Sequence, residues 1–158
     1  MMKRVIKIIF ILFVLYGVYS CFPAFGYRLL QNAVKNDNIK QVEYLMKIGI
    51  PAYPTTRVKD FSFEATLEHS PLFSASQNGN LKIVGLLIRS GAKIDACCCS
   101  CVTPLHIAII KKNKGVVQLL LEAGASTNLR FDMSYTALEL AKKKSTLEIV
   151  DLIKLYVE

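Results

Sequence analysis

Thr103-Pro104-Leu105-His106-Ile107-Ala108 returns in variant form at a fixed interval. Ser70-Pro71-Leu72-Phe73-Ser74-Ala75 lies 33 residues before it, and Thr136-Ala137-Leu138-Glu139-Leu140-Ala141 lies 33 residues after it. A constant period of this length marks stacked supersecondary units. Each start is followed by a second phrase: Ile83-Val84-Gly85-Leu86-Leu87, Val116-Val117-Gln118-Leu119-Leu120, and Ile149-Val150-Asp151-Leu152-Ile153. Gly91-Ala92 and Gly124-Ala125 close two of the units. A degenerate first unit reads Leu29-Leu30-Gln31-Asn32-Ala33, then Val42-Glu43-Tyr44-Leu45-Met46, and ends at Gly49. Its spacing from Ala33 to Val42 matches that from Ala75 to Val84, Ala108 to Val117 and Ala141 to Val150.

Each unit reads as a short helix, a tight connection, a second helix and an extended segment. Ser70, Thr103 and Thr136 are helix N-caps, and Pro71 and Pro104 suit a first turn in which a missing N–H costs nothing. Leu72, Ala75, Leu105, Ala108, Leu138 and Ala141 place apolar groups at i and i+3, on one helix face, and the small alanines let neighbouring units approach. Gly49, Gly91 and Gly124 are expected to end the second helices in the left-handed conformation. The last helix, from about Thr146, is expected to turn Leu147, Ile149, Val150, Leu152, Ile153 and Tyr156 inward and its charges outward, as a C-terminal cap requires.

T-P-L-H-x-A at a 33-residue period, followed by V-V-x-L-L and G-A, closely resembles the ankyrin repeat. The resemblance implies an all-α solenoid of about four helix-turn-helix repeats with extended fingers. The repeats fall at 27–53, 70–95, 103–128 and 136–158, with an insertion over 54–69, and a hydrophobic N-terminal segment over 1–26 precedes them. It further implies a module that binds one protein partner, does no chemistry and needs no cofactor. The positions it carries over on the first helices are Gln77, Asn78, Ile110, Lys111, Lys143 and Lys144. On the fingers they are Leu67, His69, Val102, Met133 and Tyr135, with Ile110, Met133 and Tyr135 as the apolar or aromatic anchors. It gives His106 a structural role, tying the T-P-L-H turn to nearby backbone or hydroxyl groups. His69 lies out of register, so no nucleophile, base and orienter can be assembled.

The first 26 residues read as a leader. Lys3, Arg4 and Lys7 precede and enter an uncharged run over Ile8–Tyr19, the n- and h-regions of a secretory signal. Val18-Tyr19-Ser20-Cys21 resembles a lipoprotein processing site with Cys21 as the lipidated residue, although Tyr19 departs from the usual pattern. Cleavage after Ala24-Phe25-Gly26, or retention of the uncharged 19-residue span as a membrane anchor, are the alternatives. All three place the repeats outside the cytosol, and Phe22 after the cysteine favours an outer-membrane lipoprotein facing the periplasm.

Three features break the repeat pattern. The spacing from Ala33 to Ala75 exceeds the period by nine residues, which enlarges one finger over Pro54–His69, where Phe61 and Phe63 alternate with polar residues. Insertions in solenoids map to one face, often the binding face. Cys97, Cys98, Cys99 and Cys101 crowd the next finger, open to a local disulfide or a soft metal ion. Cys101, like Glu68 and Ser134, stands where the family has Gly, so these tips are expected to depart from the standard hairpin. Lys111-Lys112-Asn113-Lys114 and Lys142-Lys143-Lys144 end two first helices in register and form a basic ridge suited to an acidic patch.

The formal charge is +8, and +5 without the three leader cations. With no recognition module or aromatic platform beside it, that excess does not point to nucleic acid. The expectation is a monomeric, envelope-tethered binding module whose partner is a toxin, effector or envelope enzyme, as for an immunity protein. A metal-binding or redox-responsive protein built on the Cys97–Cys101 finger is the alternative.

Overall fold

The structure, a computed structural model, describes residues 26–52, 70–96, 101–132, 134–144 and 146–157. Among these residues eight helices form four hairpin pairs: α1 (26–35) with α2 (Ile39–Lys47), α3 (Pro71–Asn78) with α4 (Leu81–Arg89), α5 (Pro104–Ile110) with α6 (Lys114–Glu122), and α7 (Ala137–Lys144) with α8 (Leu147–Lys154). No strand occurs among them, only one isolated antiparallel bridge between Phe131 and Tyr135. Residues 1–25 of the 1–26 leader, with Cys21, and the insertion over 54–69 lie outside the described residues, and Gly26 begins α1. No helix among the described residues is long and apolar enough to cross a membrane.

The helices stack in two rows. α3 packs on α5 and α5 on α7, while α2, α4, α6 and α8 pack in succession. Ala33, Ala75, Ala108 and Ala141 are all buried, one per repeat, and the absence of a larger side chain there allows the first row to close. Leu30, Leu72 and Leu105 fill the space beside them, and Val42, Val84, Val117 and Val150 do the same in the second row. Removing Leu105 to the β-carbon would cost about 2–5 kcal/mol in lost burial and cavity.

Local chemistry sets each helix boundary. The Ser70 hydroxyl accepts from the Phe73 N–H at 3.2 Å, and Thr103 and Thr136 accept from the N–H of His106 and Glu139, each at 3.4 Å. The second helices leave through Gly49, Gly91 and Gly124, with φ of 86°, 78° and 85°. At each exit the glycine N–H reaches the carbonyl three residues back, and the next N–H reaches the carbonyl five back, as Gly91 to Ile88 and Ala92 to Leu87 illustrate. This Schellman arrangement answers carbonyls that the helix end would otherwise leave open.

The link between the two helices of a repeat needs a left-handed residue as well. Gly79 supplies it at φ 80°, but Asp37 and Lys112 adopt φ of 55° and 60° at the equivalent places. Non-glycine residues pay roughly 1–2 kcal/mol there.

The fourth repeat departs from expectation at Leu138, Leu147 and Tyr156, the last being 40% exposed although it was expected to turn inward. Leu138 is only half-buried, and α7 buries Ala137, Leu140 and Ala141 instead. Lys142 stands exposed where the two preceding repeats bury Ser76 and Ile109, which makes this outer side polar. Leu147, assigned above to the inner stripe, is 81% exposed at the first position of α8, while Ile149, Val150 and Ile153 carry the packing. Its equivalent two repeats earlier, Leu81, lies against Gly115 of the following repeat, a neighbour that no described residue provides for Leu147.

Candidate partner-binding surface

The two columns expected on the first helices form in register. Gln77, Ile110 and Lys143 occupy equivalent positions in the last turns of α3, α5 and α7, and Asn78, Lys111 and Lys144 follow them. Gln77, Asn78, Lys111, Lys143 and Lys144 are exposed, and Ile110 is half-buried against the core. Asn78 does more than face solvent. Its amide donates to the carbonyls of Val34 at 3.2 Å and Lys35 at 3.4 Å, tying repeat 2 to the end of α1.

Lysines dominate the later half of this surface. Lys111 follows α5, Lys112 forms the left-handed turn, and Lys142, Lys143 and Lys144 fill the last turn of α7. The partial negative charge of a helix C-terminus favours cations at these places. Two ion pairs form among the described residues: Lys114 to Glu148 at 2.9 Å, across repeats 3 and 4, and Lys154 to Asp151 at 2.8 Å. Among the described residues no carboxylate pairs with Lys111, Lys112, Lys142 or Lys144, and Lys142 acts on Glu139 only at longer range.

On the fingers, Tyr135 is half-buried, and its hydroxyl accepts from the Lys143 ammonium at 2.6 Å. The same ammonium lies 4.4 Å from the ring centroid, so Lys143 is held by the finger and Tyr135 by the helix. Val102 is half-buried and Cys101 exposed. Cys101 adopts φ 58°, so a non-glycine residue takes up the left-handed position at that tip. In the last finger Asp132, not Ser134, is left-handed, at φ 49°, and the Phe131 N–H closes the turn on the Tyr135 carbonyl at 2.7 Å. Phe61, Phe63, Leu67, His69, Cys97, Cys98, Cys99 and Met133 lie outside the described residues. Among the described residues no group of three His, Cys, Asp or Glu side chains is placed to hold a metal.

His106 is fully buried and serves the frame. The Thr103 N–H donates to its Nδ1 at 3.2 Å, so the proton of the neutral ring resides on Nε2, which donates to the Leu129 carbonyl at 3.1 Å. The Thr103 hydroxyl lies 2.9 Å from Nδ1, and the Phe131 ring packs at 5.8 Å between centroids. Burial holds the imidazole below its ordinary pKa of 6.5, and the Leu129 hydrogen bond and the Asp95 charge oppose that shift. Glu139 does the same capping work one repeat later: its carboxylate accepts from the Thr136 N–H at 2.8 Å and the Thr136 hydroxyl at 3.0 Å. Those two bonds lower its pKa.

Several residues that cap helices or knit the repeats together are marked in the sequence by type and spacing. Thr136-Ala137-Leu138-Glu139 is a capping box by spacing. Asn38, Asn80 and Asn113 recur at the same intervals as the alanines, each preceding a second helix. Asn38 and Asn80 cap their helices, and the Asn80 amide also donates to Asp37 at 2.9 Å. Asn113 makes no cap and donates instead to the Ser76 carbonyl of the preceding repeat at 3.1 Å. Fingers join in turn, with the Ser126 N–H reaching the Asp95 carboxylate at 3.1 Å.

Known proteins share this arrangement. A family model for three copies of the ankyrin repeat matches residues 30–131 and 72–156. The BRCA1-associated RING domain protein 1 of Caenorhabditis elegans is 33% identical over 118 residues, which is 74% of this chain and 15% of that protein. The ankyrin repeat protein FPV031 of fowlpox virus is 33% identical over 123 residues, covering 73% of this chain and 33% of its own. An ankyrin repeat protein of Rickettsia bellii is 31% identical over 124 residues, 68% of this chain and 52% of that one. The chain thus spans about half or less of each of these relatives, and what it shares with them is the stacked repeat. With its period, its capped helices and its left-handed exits in place, the chain belongs to the ankyrin-repeat family.

Proposed function

We propose that the chain is a non-catalytic module that holds one protein partner across its first-helix ends and fingers, tethered in the cell envelope through its N-terminal segment. The observation that carries this reading is a division of labour among side chains. The polar groups buried at the helix starts, Ser70, Thr103 and His106, are spent on capping bonds, whereas the equivalent surface positions differ from repeat to repeat, as Gln77, Ile110 and Lys143 do. A constant frame with a variable face is how repeat arrays bind protein surfaces. Lipidation at Cys21 would hold the repeats at the outer membrane facing the periplasm, where the module restrains its partner as an immunity protein restrains a toxin. Cleavage after Gly26 or a retained anchor are the other forms of the same arrangement.

A photo-crosslinking side chain placed at Ile110 in the full-length chain, in envelope-intact cells, tests the binding reading. It predicts one dominant protein adduct, lost when the reporter is moved to the buried frame at Ser76. No adduct at Ile110, with the protein present and folded, overturns it. The mass of the mature N-terminus tests the tether, since lipidated Cys21, a new terminus after Gly26 and an unprocessed Met1 differ in mass.

A further inference from the structure

The surface of repeats 3 and 4 carries more information about the partner than the family does, and this inference rests on the binding reading above. Lys111, Lys112, Lys142 and Lys144 are exposed at the C-terminal ends of α5 and α7 and pair with no carboxylate among the described residues. Their neighbour Lys114, in contrast, is matched to Glu148, and Lys143 is occupied by Tyr135. Among the described residues, exposed cations without an ion pair also stand on repeats 1 and 2, among them Lys35, Lys40, Lys47, Lys82 and Arg89, but the four unpaired lysines of repeats 3 and 4 gather at the ends of two neighbouring first helices. At the equivalent places in repeats 1 and 2 stand Asn36 and Asp37, then Asn78 and Gly79, none of them cationic. Lys142 is further notable because the two preceding repeats bury Ser76 and Ile109 there.

We infer that this ridge is the docking surface for an acidic segment of the partner protein, an extended stretch of Asp and Glu with an apolar residue that settles on Ile110. Each ammonium offers three donors and no acceptor, so carboxylates satisfy them, and the Ile110 side chain stands half-exposed in the column between Gln77 and Lys143. An anionic membrane surface would hold such cations only weakly, at about 1 kcal/mol per lysine, and firm attachment would call for large apolar side chains beside them to insert. Of the large apolar groups that stand exposed among the described residues, Tyr44, Ile48, Leu81, Leu147, Leu155 and Tyr156 belong to the second helices or their ends, and Leu129 to the finger after α6, so none stands on this ridge.

The test uses the full-length protein and a fluorescein-labelled Asp/Glu-rich peptide containing one leucine, followed by fluorescence anisotropy. The triple variant Lys111→Glu, Lys142→Glu, Lys144→Glu should weaken binding by about tenfold or more, and the neutral Lys→Gln triple by less. Lys40→Glu, two repeats away on α2, should leave binding unchanged. Raising salt from about 50 mM to about 300 mM should weaken the wild type, because exposed charges are screened beyond about a Debye length. Circular dichroism of each variant keeps loss of fold separate from loss of contact. Unchanged peptide affinity in both triples overturns the ridge, as does an equal loss in Lys40→Glu. Tighter binding to phosphatidylglycerol vesicles than to the peptide, abolished by the same triple, also overturns it in favour of a membrane. A protein partner that crosslinks at Ile110 in the charge-reversed chain as well as in the wild type overturns the acidic-segment proposal while leaving the binding module standing.

Discussion

The imidazole of His106 and the carbonyl of Leu129, 23 residues apart in the chain, meet at 3.1 Å. One ring nitrogen thus holds the start of α5, through the Thr103 N–H, and the other holds the finger that leads to α7. A residue type that often signals catalysis here joins two neighbouring repeats.

His106→Ala leaves the buried Thr103 N–H and the Leu129 carbonyl without these partners and opens a cavity beside Phe131. Each orphaned group costs about 1–3 kcal/mol when fully buried, and water can reach the part-buried Leu129 carbonyl, so the expected loss is roughly 2–4 kcal/mol. Urea unfolding of the full chain measures it. A loss below half a kilocalorie would place the ring outside the frame.

The same ring makes stability depend on pH in a set direction. In the unfolded chain it titrates near 6.5, and in the folded one burial lowers that value. Folding therefore favours the neutral ring. Its contribution is complete above the unfolded pKa and falls away as pH drops from there through the lower folded value. His106→Gln keeps a side-chain acceptor for the capping box but cannot titrate. The melting temperature of the wild type should fall more steeply than that of His106→Gln as the pH is lowered below 6.5, with His69 common to both. Parallel slopes would show that the ring takes no part in the acid response.

Left-handed turns yield opposite outcomes at two equivalent positions. Lys112 holds φ 60°, and Lys112→Gly relieves a penalty of roughly 1–2 kcal/mol while adding unfolded-chain entropy of about 0.5–1 kcal/mol. The net expectation is a gain of about half to one kcal/mol in chemical denaturation. Gly79→Ala should do the reverse. It places a methyl group at φ 80°, only 2.8 Å from the Asn113 amide nitrogen. The amide must then leave the Ser76 carbonyl, and a loss of about 1–3 kcal/mol follows.

The repeat period carried most of the frame into view, because the residues that set it do one job each. Ala33, Ala75, Ala108 and Ala141 are where helices touch, and Gly49, Gly91 and Gly124 are where the left-handed exit would strain any side chain, so both series are read by type and spacing. Positions decided by their place on a helix or by a neighbour were not legible in this way. Leu147 reads as core by hydrophobicity, yet it stands exposed at the first position of α8, where its equivalent Leu81 is exposed as well even with Gly115 against it. Asn113 stands in series with Asn38 and Asn80, which cap their helices, yet its amide finds the carbonyl of the preceding repeat. On the candidate surface the lysine register was legible, but the pairing of Lys143 with Tyr135 was not, since a spacing of eight residues across a finger and a helix has no local signature.

The Asn113 bridge also bears on how the stack unfolds. In a solenoid each repeat contacts only its neighbours, so the interfaces carry the cooperativity. Between repeats 2 and 3 the hydrogen bonds of that interface include Asn113 on the Ser76 carbonyl and the Ser126 N–H on the Asp95 carboxylate, beside the packing of α3 on α5 and α4 on α6. Asn113→Ala removes the donor without touching a helix cap, because Asn113 makes none. The expected cost is about 1 kcal/mol, the net worth of one such bond. It should fall on the coupling between repeats rather than on any one of them. Urea unfolding of the variant should therefore broaden, with an apparent slope below that of the wild type, and hydrogen exchange should speed in α3 and α4 ahead of α5 and α6. A midpoint shift with unchanged slope and uniform exchange would mean that the apolar contacts alone hold the two halves together.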